Sequence, residues 1–73
     1  MKKGGVKREF GIVTTMVSDG SYGFIMGEDG IERFFHASMV EGDFDDLHIG
    51  DRVSYVPLVS IKGPRASAVR EEK

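Results

Sequence analysis

Short apolar runs alternate with polar breaks along the whole chain. Val, Ile, Thr, Phe and Tyr recur in stretches bounded by Gly, Asp, Ser and Pro, the signature of short strands joined by turns. Five strands are predicted, over 10–17 (FGIVTTMV), 21–26 (SYGFIM), 32–36 (ERFFH), 51–59 (DRVSYVPLV) and 65–70 (RASAVR). No stretch carries the apolar period of an amphipathic helix. Pro57 lies inside the fourth run, where a residue without an N–H implies a sheet edge or a bulge. Residues 37–47 read as a short 3₁₀ turn followed by a loop, and 48–51 as a turn into the fourth strand. There is no internal repeat and no low-complexity segment.

The 73 residues limit the chain to one domain. Five short strands in that length cannot build two full sheets around a core. A closed or nearly closed barrel is the alternative, because it removes exposed edges and gives all five strands one interior.

Strand alternation fixes the second and third runs more closely. Tyr22 and Phe24 share one face, with Gly23 and Ile25 on the other. Phe34 and His36 share a face, and Phe35 points away. A hairpin centred on Asp29 sets Tyr22 opposite His36 and Phe24 opposite Phe34. A slip of one residue would bring Phe35 to that side and break the pattern. Ile25 and Phe35 are then core residues, with Val13, Val53 and Val69 as partners. The other face gathers Tyr22, Phe24, Phe34 and His36. A barrel has one interior, so this second face is expected outside, and a patch of exposed rings needs an occupant. The rings either stack bases of a single nucleic-acid strand or lie under a covering, the 37–47 loop or a partner chain.

Composition narrows the choice. The net charge of −2 argues against a strongly electrostatic nucleic-acid binder and predicts a shallow salt dependence. The charge is uneven: Lys2, Lys3, Lys7 and Arg8 open the chain, acids cluster from Glu41 to Asp51, and Lys62, Arg65 and Arg70 follow. The chain contains no Asn and no Gln, the usual bidentate readers of adenine in a duplex groove, so groove reading is disfavoured. Without cysteine there is no disulfide and no thiolate metal site, which fits a reducing compartment. No run is long and apolar enough to span a membrane, and the basic start lacks the apolar stretch of a signal peptide. A cytoplasmic location is expected.

Catalytic and metal-site patterns fail on inspection. His36 and Ser38 are two residues apart at a strand end, a spacing that a turn hydrogen bond explains without a triad. Asp43, Asp45 and Asp46 lack the glycine and glutamate that complete a calcium loop. Gly20-Ser21-Tyr22-Gly23 opens no helix and is followed by no Gly-Lys-Ser/Thr. Neither an enzyme, a metal site nor a cofactor is expected.

The motifs do match a known family. SerTyrGlyPheIle (21–25) resembles the first ribonucleoprotein motif of the cold-shock domain, and PhePheHis (34–36) its second. GlyIleVal (11–13) resembles the first strand. IleGlyAspArgValSerTyr (49–55) and LysGlyProArgAlaSerAlaVal (62–69) resemble the last two strands and their loop. The resemblance runs from about residue 9 to 70, and the spelling of the two central motifs looks more like the repeats of Unr-type proteins.

It implies an all-β, five-stranded antiparallel OB-type (Greek-key) barrel over 9–70, between a flexible basic tail (1–8) and a short C-terminal tail (71–73). It also implies binding of single-stranded RNA or DNA by a monomer, in the service of RNA chaperoning or of transcription or translation control. Carried over by position, Tyr22, Phe24, Phe34 and His36 are the stacking residues. Phe44 lies near the family's loop phenylalanine, and Lys62 matches a basic residue beside Gly63 and Pro64. Lys7, Arg8, Lys62 and Arg65 are expected to meet phosphates, and pyrimidine-rich strands to be preferred.

The chain departs from the pattern in its first strand. Thr14-Thr15-Met16 stands where the family has lysine-tryptophan-phenylalanine, Ala37 replaces a phenylalanine and Gly20 a lysine. A stack is worth about 1–3 kcal/mol per base, so losing two weakens binding by roughly one to four orders of magnitude. The alternative is a protein-interaction module with vestigial nucleic-acid binding. Tyr22 and Tyr55 are expected to report ligand binding by fluorescence, since the chain has no tryptophan.

Overall fold

The computed structural model describes residues 7–73. Most of the expected basic tail, residues 1–6 with Lys2 and Lys3, lies outside the described residues. Five strands follow in order: β1 (Glu9–Val17), β2 (Tyr22–Gly27), β3 (Glu32–His36), β4 (Arg52–Ser60) and β5 (Gly63–Glu71). Two single 3₁₀ turns, Ala37–Met39 and Phe44–Asp46, occupy the connection between β3 and β4. Each is capped from in front: His36 accepts from the Ser38 N–H and Asp43 from the Asp45 N–H. A side-chain acceptor two residues ahead offers the backbone a tight turn in place of a strand, which ends β3 at His36.

The strands close into a barrel in the order β1-β2-β3-β5-β4. The β2–β3 hairpin has the register read from alternation: Tyr22 pairs with His36 and Phe24 with Phe34. β1 is shared, its first half pairing with β4 and its whole inner length with β2. All but one of the seams are antiparallel. The exception closes the barrel, where β3 meets β5 in parallel through the single pair Phe34 and Arg65. A second parallel bridge, Val40 to Val69, reinforces it from the loop.

Two bulges bend the sheet into a tube, as closure requires. In β1 the register skips Thr14, between Val13–Ile25 and Thr15–Phe24. In β5, Ala68 and Val69 together face Tyr55, and Ala68 takes the left-handed conformation at φ 48°. Pro57 sits just past this bulge, paired with Ala66 of β5, where β4 has already left β1. The edge position expected for it is therefore real.

The core contains Val13, Ile25, Phe35, Leu47, Val53, Tyr55, Ala66 and Val69. Alternation identifies five of them, Val13, Ile25, Phe35, Val53 and Val69, and leaves out Ala66 of β5. Leu47 comes from the loop, which strand alternation does not reach, and Tyr55, expected to report ligand binding by its fluorescence, is wholly buried. The reason lies in β4 itself, where Tyr55 follows Val53 at a spacing of two and so enters the same interior.

A guanidinium completes that interior. Arg33 shares the inward face of β3 with Phe35 and is 7% exposed. It donates to both carboxylate oxygens of Asp29 (3.2 and 2.9 Å) and to the Tyr55 hydroxyl (2.9 Å). Its cation also lies 5.3 Å from the Tyr55 ring centroid. The Arg33 hydrogen bonds hold the Asp29 carboxyl below the usual carboxylate range. Burial pushes the Tyr55 hydroxyl above its ordinary value. Gly27 makes room for this cluster, since a Cβ there would stand 2.5 Å from the Tyr55 hydroxyl and 2.8 Å from an Arg33 nitrogen.

Candidate nucleic-acid interface

The outward face of the β2–β3 hairpin brings three rings together. Tyr22 and Phe34 have centroids 5.4 Å apart with planes tilted by 31°. Phe24 stands edge-on to both, at 6.2 Å from Tyr22 and 5.8 Å from Phe34. All three are half-buried, and each lies within aromatic contact distance of the other two. Gly23 lets this face form. It sits between Tyr22 and Phe24 on the inward side, where a Cβ would meet the Thr15 carbonyl at 2.4 Å and the Phe35 ring at 2.9 Å.

β5 adds the positive charge. Its pairing with β3 sets Arg65 beside Phe34, with the guanidinium 4.6 Å from the ring centroid. An open cleft of about 390 Å³ follows, lined by Phe24, Phe34, Lys62, Pro64 and Arg65. The surface continues past Arg65 into a second hollow bounded by His36, Ser38, Met39, Leu58 and Ala66. Among these, Met39 and Leu58 escaped sequence reasoning. Met39 comes from the turn that follows β3, and Leu58 reaches the site because β5 lies between β3 and β4, a topology no local pattern announces.

His36 is exposed at the end of this track. Its Nδ1 accepts from the Ser38 N–H at 3.0 Å and also meets the Ser38 hydroxyl at 3.0 Å. The His36–Ser38 spacing therefore forms a turn, as expected. Nδ1 is committed as an acceptor, so the neutral ring carries its proton on Nε2 and presents a donor to solvent.

Three expected contacts lie elsewhere. Phe44 packs inward against Phe35, centroids 6.0 Å apart, and seals the end of the core instead of joining the platform. Arg8 donates to the Ser54 hydroxyl (3.1 and 2.9 Å) and to the Ala68 carbonyl (2.6 Å), which fixes it to β4 and β5. Lys7 is exposed but shares a separate hollow with Arg8, Glu9, Glu28 and Asp29, away from the rings and among acids. The C-terminal boundary also moves: β5 runs to Glu71, and Glu72 accepts from the Ser54 hydroxyl (2.6 Å).

Thr15 pairs directly with Phe24, so the missing tryptophan would have extended the same platform toward β1. The bulge at Thr14 turns that residue aside, where its hydroxyl donates to Glu32 (3.0 Å). An acid thus borders the platform on the β1 side, and the cations border it on the β5 side. Among the described residues no group of three or more His, Asp or Glu side chains is arranged to hold a metal. No helix among the described residues is long and apolar enough to cross a membrane.

Comparison with known proteins places this geometry. The model of the 'Cold-shock' DNA-binding domain matches residues 9–72. Cold shock protein 1 of Lactiplantibacillus plantarum is 40% identical over 60 residues, covering 81% of this chain and 91% of that protein. Cold shock protein 2 of the same organism is 36% identical over 63 residues, covering 85% and 96%. Among solved structures, drosophila Unr CSD456 superposes with a TM-score of 0.79 at 23% identity. That match takes in 94% of this chain and 28% of the other, and it shows a shared fold.

Proposed function

The chain belongs to the cold-shock domain family, whose members bind single-stranded nucleic acids, and from that premise we propose that it binds pyrimidine-rich single-stranded RNA by stacking bases on Tyr22, Phe24 and Phe34. The observation that carries the reading is the cluster of three outward rings beside two cations, on the face opposite a complete core. Every base has a π-face, so such a platform accepts a strand without reading a duplex groove. Lys62 neutralises phosphate along the cleft, and His36 offers its Nε2–H at the far end. By holding bases unpaired the domain opposes local RNA structure, the act of an RNA chaperone or of a transcription or translation regulator.

The platform is short on the β1 side, so affinity falls below that of a member with the full aromatic set. Few phosphates are neutralised, and the salt dependence is correspondingly shallow.

A chemical-shift titration with heptameric oligo-uridine and oligo-thymidine tests this. Shifts concentrate at 22–24, 34–36 and 62–66, and Phe24→Ala weakens binding about tenfold to a hundredfold, one stack's worth. Absence of any shift up to roughly millimolar strand would favour a protein partner for this face instead. Tyrosine fluorescence gives the same answer through Tyr22 alone, because Tyr55 is buried.

A further inference from the structure

Five arginines lie among the described residues, and four have found acceptors. Arg8 is bonded to Ser54 and Ala68, Arg33 to Asp29 and Tyr55, and Arg70 to Glu41. Arg52 faces Glu28 at 3.7 Å. The Arg65 side chain has no hydrogen bond and no carboxylate partner among the described residues, although it is half-buried. What holds it is the Phe34 ring at 4.6 Å. A guanidinium carries five N–H donors in a planar fork, and here that fork is positioned with its donors open.

Its location decides what those donors can meet. Phe34 is flanked by Tyr22 and Phe24 on the β2 side and by Arg65 on the β5 side. Arg65 therefore stands within the row of stacking surfaces, at the level the bases would take. Lys62 lies further out in the same cleft and is exposed, which suits a point charge for phosphate. The walls between them, Phe24, Phe34 and Pro64, are flat and apolar and fit a base rather than a phosphate.

We propose that Arg65 is the specificity-determining residue of the site, selecting at one position of the strand a base with two adjacent edge acceptors. Guanine offers O6 and N7, the pair an arginine fork matches bidentately. A single strand also leaves cytosine N3 and O2 unpaired, and these form an equivalent pair. Uracil, thymine and adenine present no convergent pair of acceptors and leave half of the fork unmatched. The cation–π contact aids this selection, because a fork already held in place loses less freedom on binding. The inference rests on the stacking reading and adds one lettered position to an otherwise sequence-tolerant platform.

The test uses the full 73-residue chain and fluorescein-labelled heptamers read by anisotropy. One strand is all thymidine, and the others carry a single guanine, cytosine or adenine at each position in turn. The expected result is a preference of about tenfold or more for guanine or cytosine at one position, with none for adenine, the discrimination of one bidentate pair. Arg65→Lys keeps the charge but not the fork, and it collapses that ratio toward one. Lys62→Gln weakens every strand alike and keeps the ratio. Thymidine binding with no base preference, or a preference that survives Arg65→Lys, overturns the assignment and leaves the stacking reading standing. Failure of every heptamer, and of oligo-uridine beside them, to bind overturns both.

Discussion

Arg33 and Arg65 make the same aromatic contact to opposite ends. Each places its guanidinium near a ring, Tyr55 at 5.3 Å and Phe34 at 4.6 Å. Inside the barrel, Arg33 spends its donors on Asp29 and Tyr55, and no buried side-chain polar atom among the described residues lacks a partner. On the outer face, Arg65 has a ring to rest on and nothing to donate to. The contact type does not separate structure from function here. The hydrogen-bond account does, because a buried donor must be satisfied by the fold, whereas an unsatisfied one at the surface awaits a ligand or water.

The comparison breaks most visibly under truncation. Arg33→Ala opens a void in the core and leaves the buried Tyr55 hydroxyl without its partner, costing about 2–3 kcal/mol through lost packing and that unpaired group. Arg65→Ala loses one exposed cation–π contact and costs under about 1 kcal/mol. Urea denaturation of the two variants measures both. Equal losses would erase the distinction between the two arginines.

A smaller effect sharpens it through pH. The Asp29 carboxyl titrates low in the fold, so its contribution is complete above its ordinary value of 3.8 and is lost as pH falls through the folded value. The Tyr55 hydroxyl titrates high, so its contribution is complete below 10.0 and is lost as pH rises through the folded value. Melting temperatures should therefore decline on both flanks. Asp29→Asn flattens the acid flank and Tyr55→Phe the alkaline one, while Arg65→Lys changes neither slope.

How much of this was written in the chain differs between the two regions. The hairpin register, the outward rings and the inward Ile25 and Phe35 follow from a period of two in two adjacent runs, a local property. The same period places Arg33 beside Phe35 and Tyr55 beside Val53 on the inside, and it was legible. A charge and a phenol argue against burial unless they bond to each other, and here the bond spans 22 residues, beyond the reach of a local pattern. Arg8 and Phe44 could not be assigned locally. One is fixed by Ser54, 46 residues away, and the other by a loop that folds back under the core. The contact of Arg65 with Phe34 depends on a parallel seam between strands separated by a third, and adjacency in sequence carries no trace of it.

That seam has a mechanical meaning. The barrel is fastened between β3 and β5 by one pair of strand residues, and both members of that pair belong to the proposed binding face. A strand lying from Tyr22 across Phe34 to Arg65 and Lys62 would bridge the fastening from outside. Ligand and closure would then be coupled, each favouring the other by the same free energy. The clasp of the container would double as the grip on its cargo.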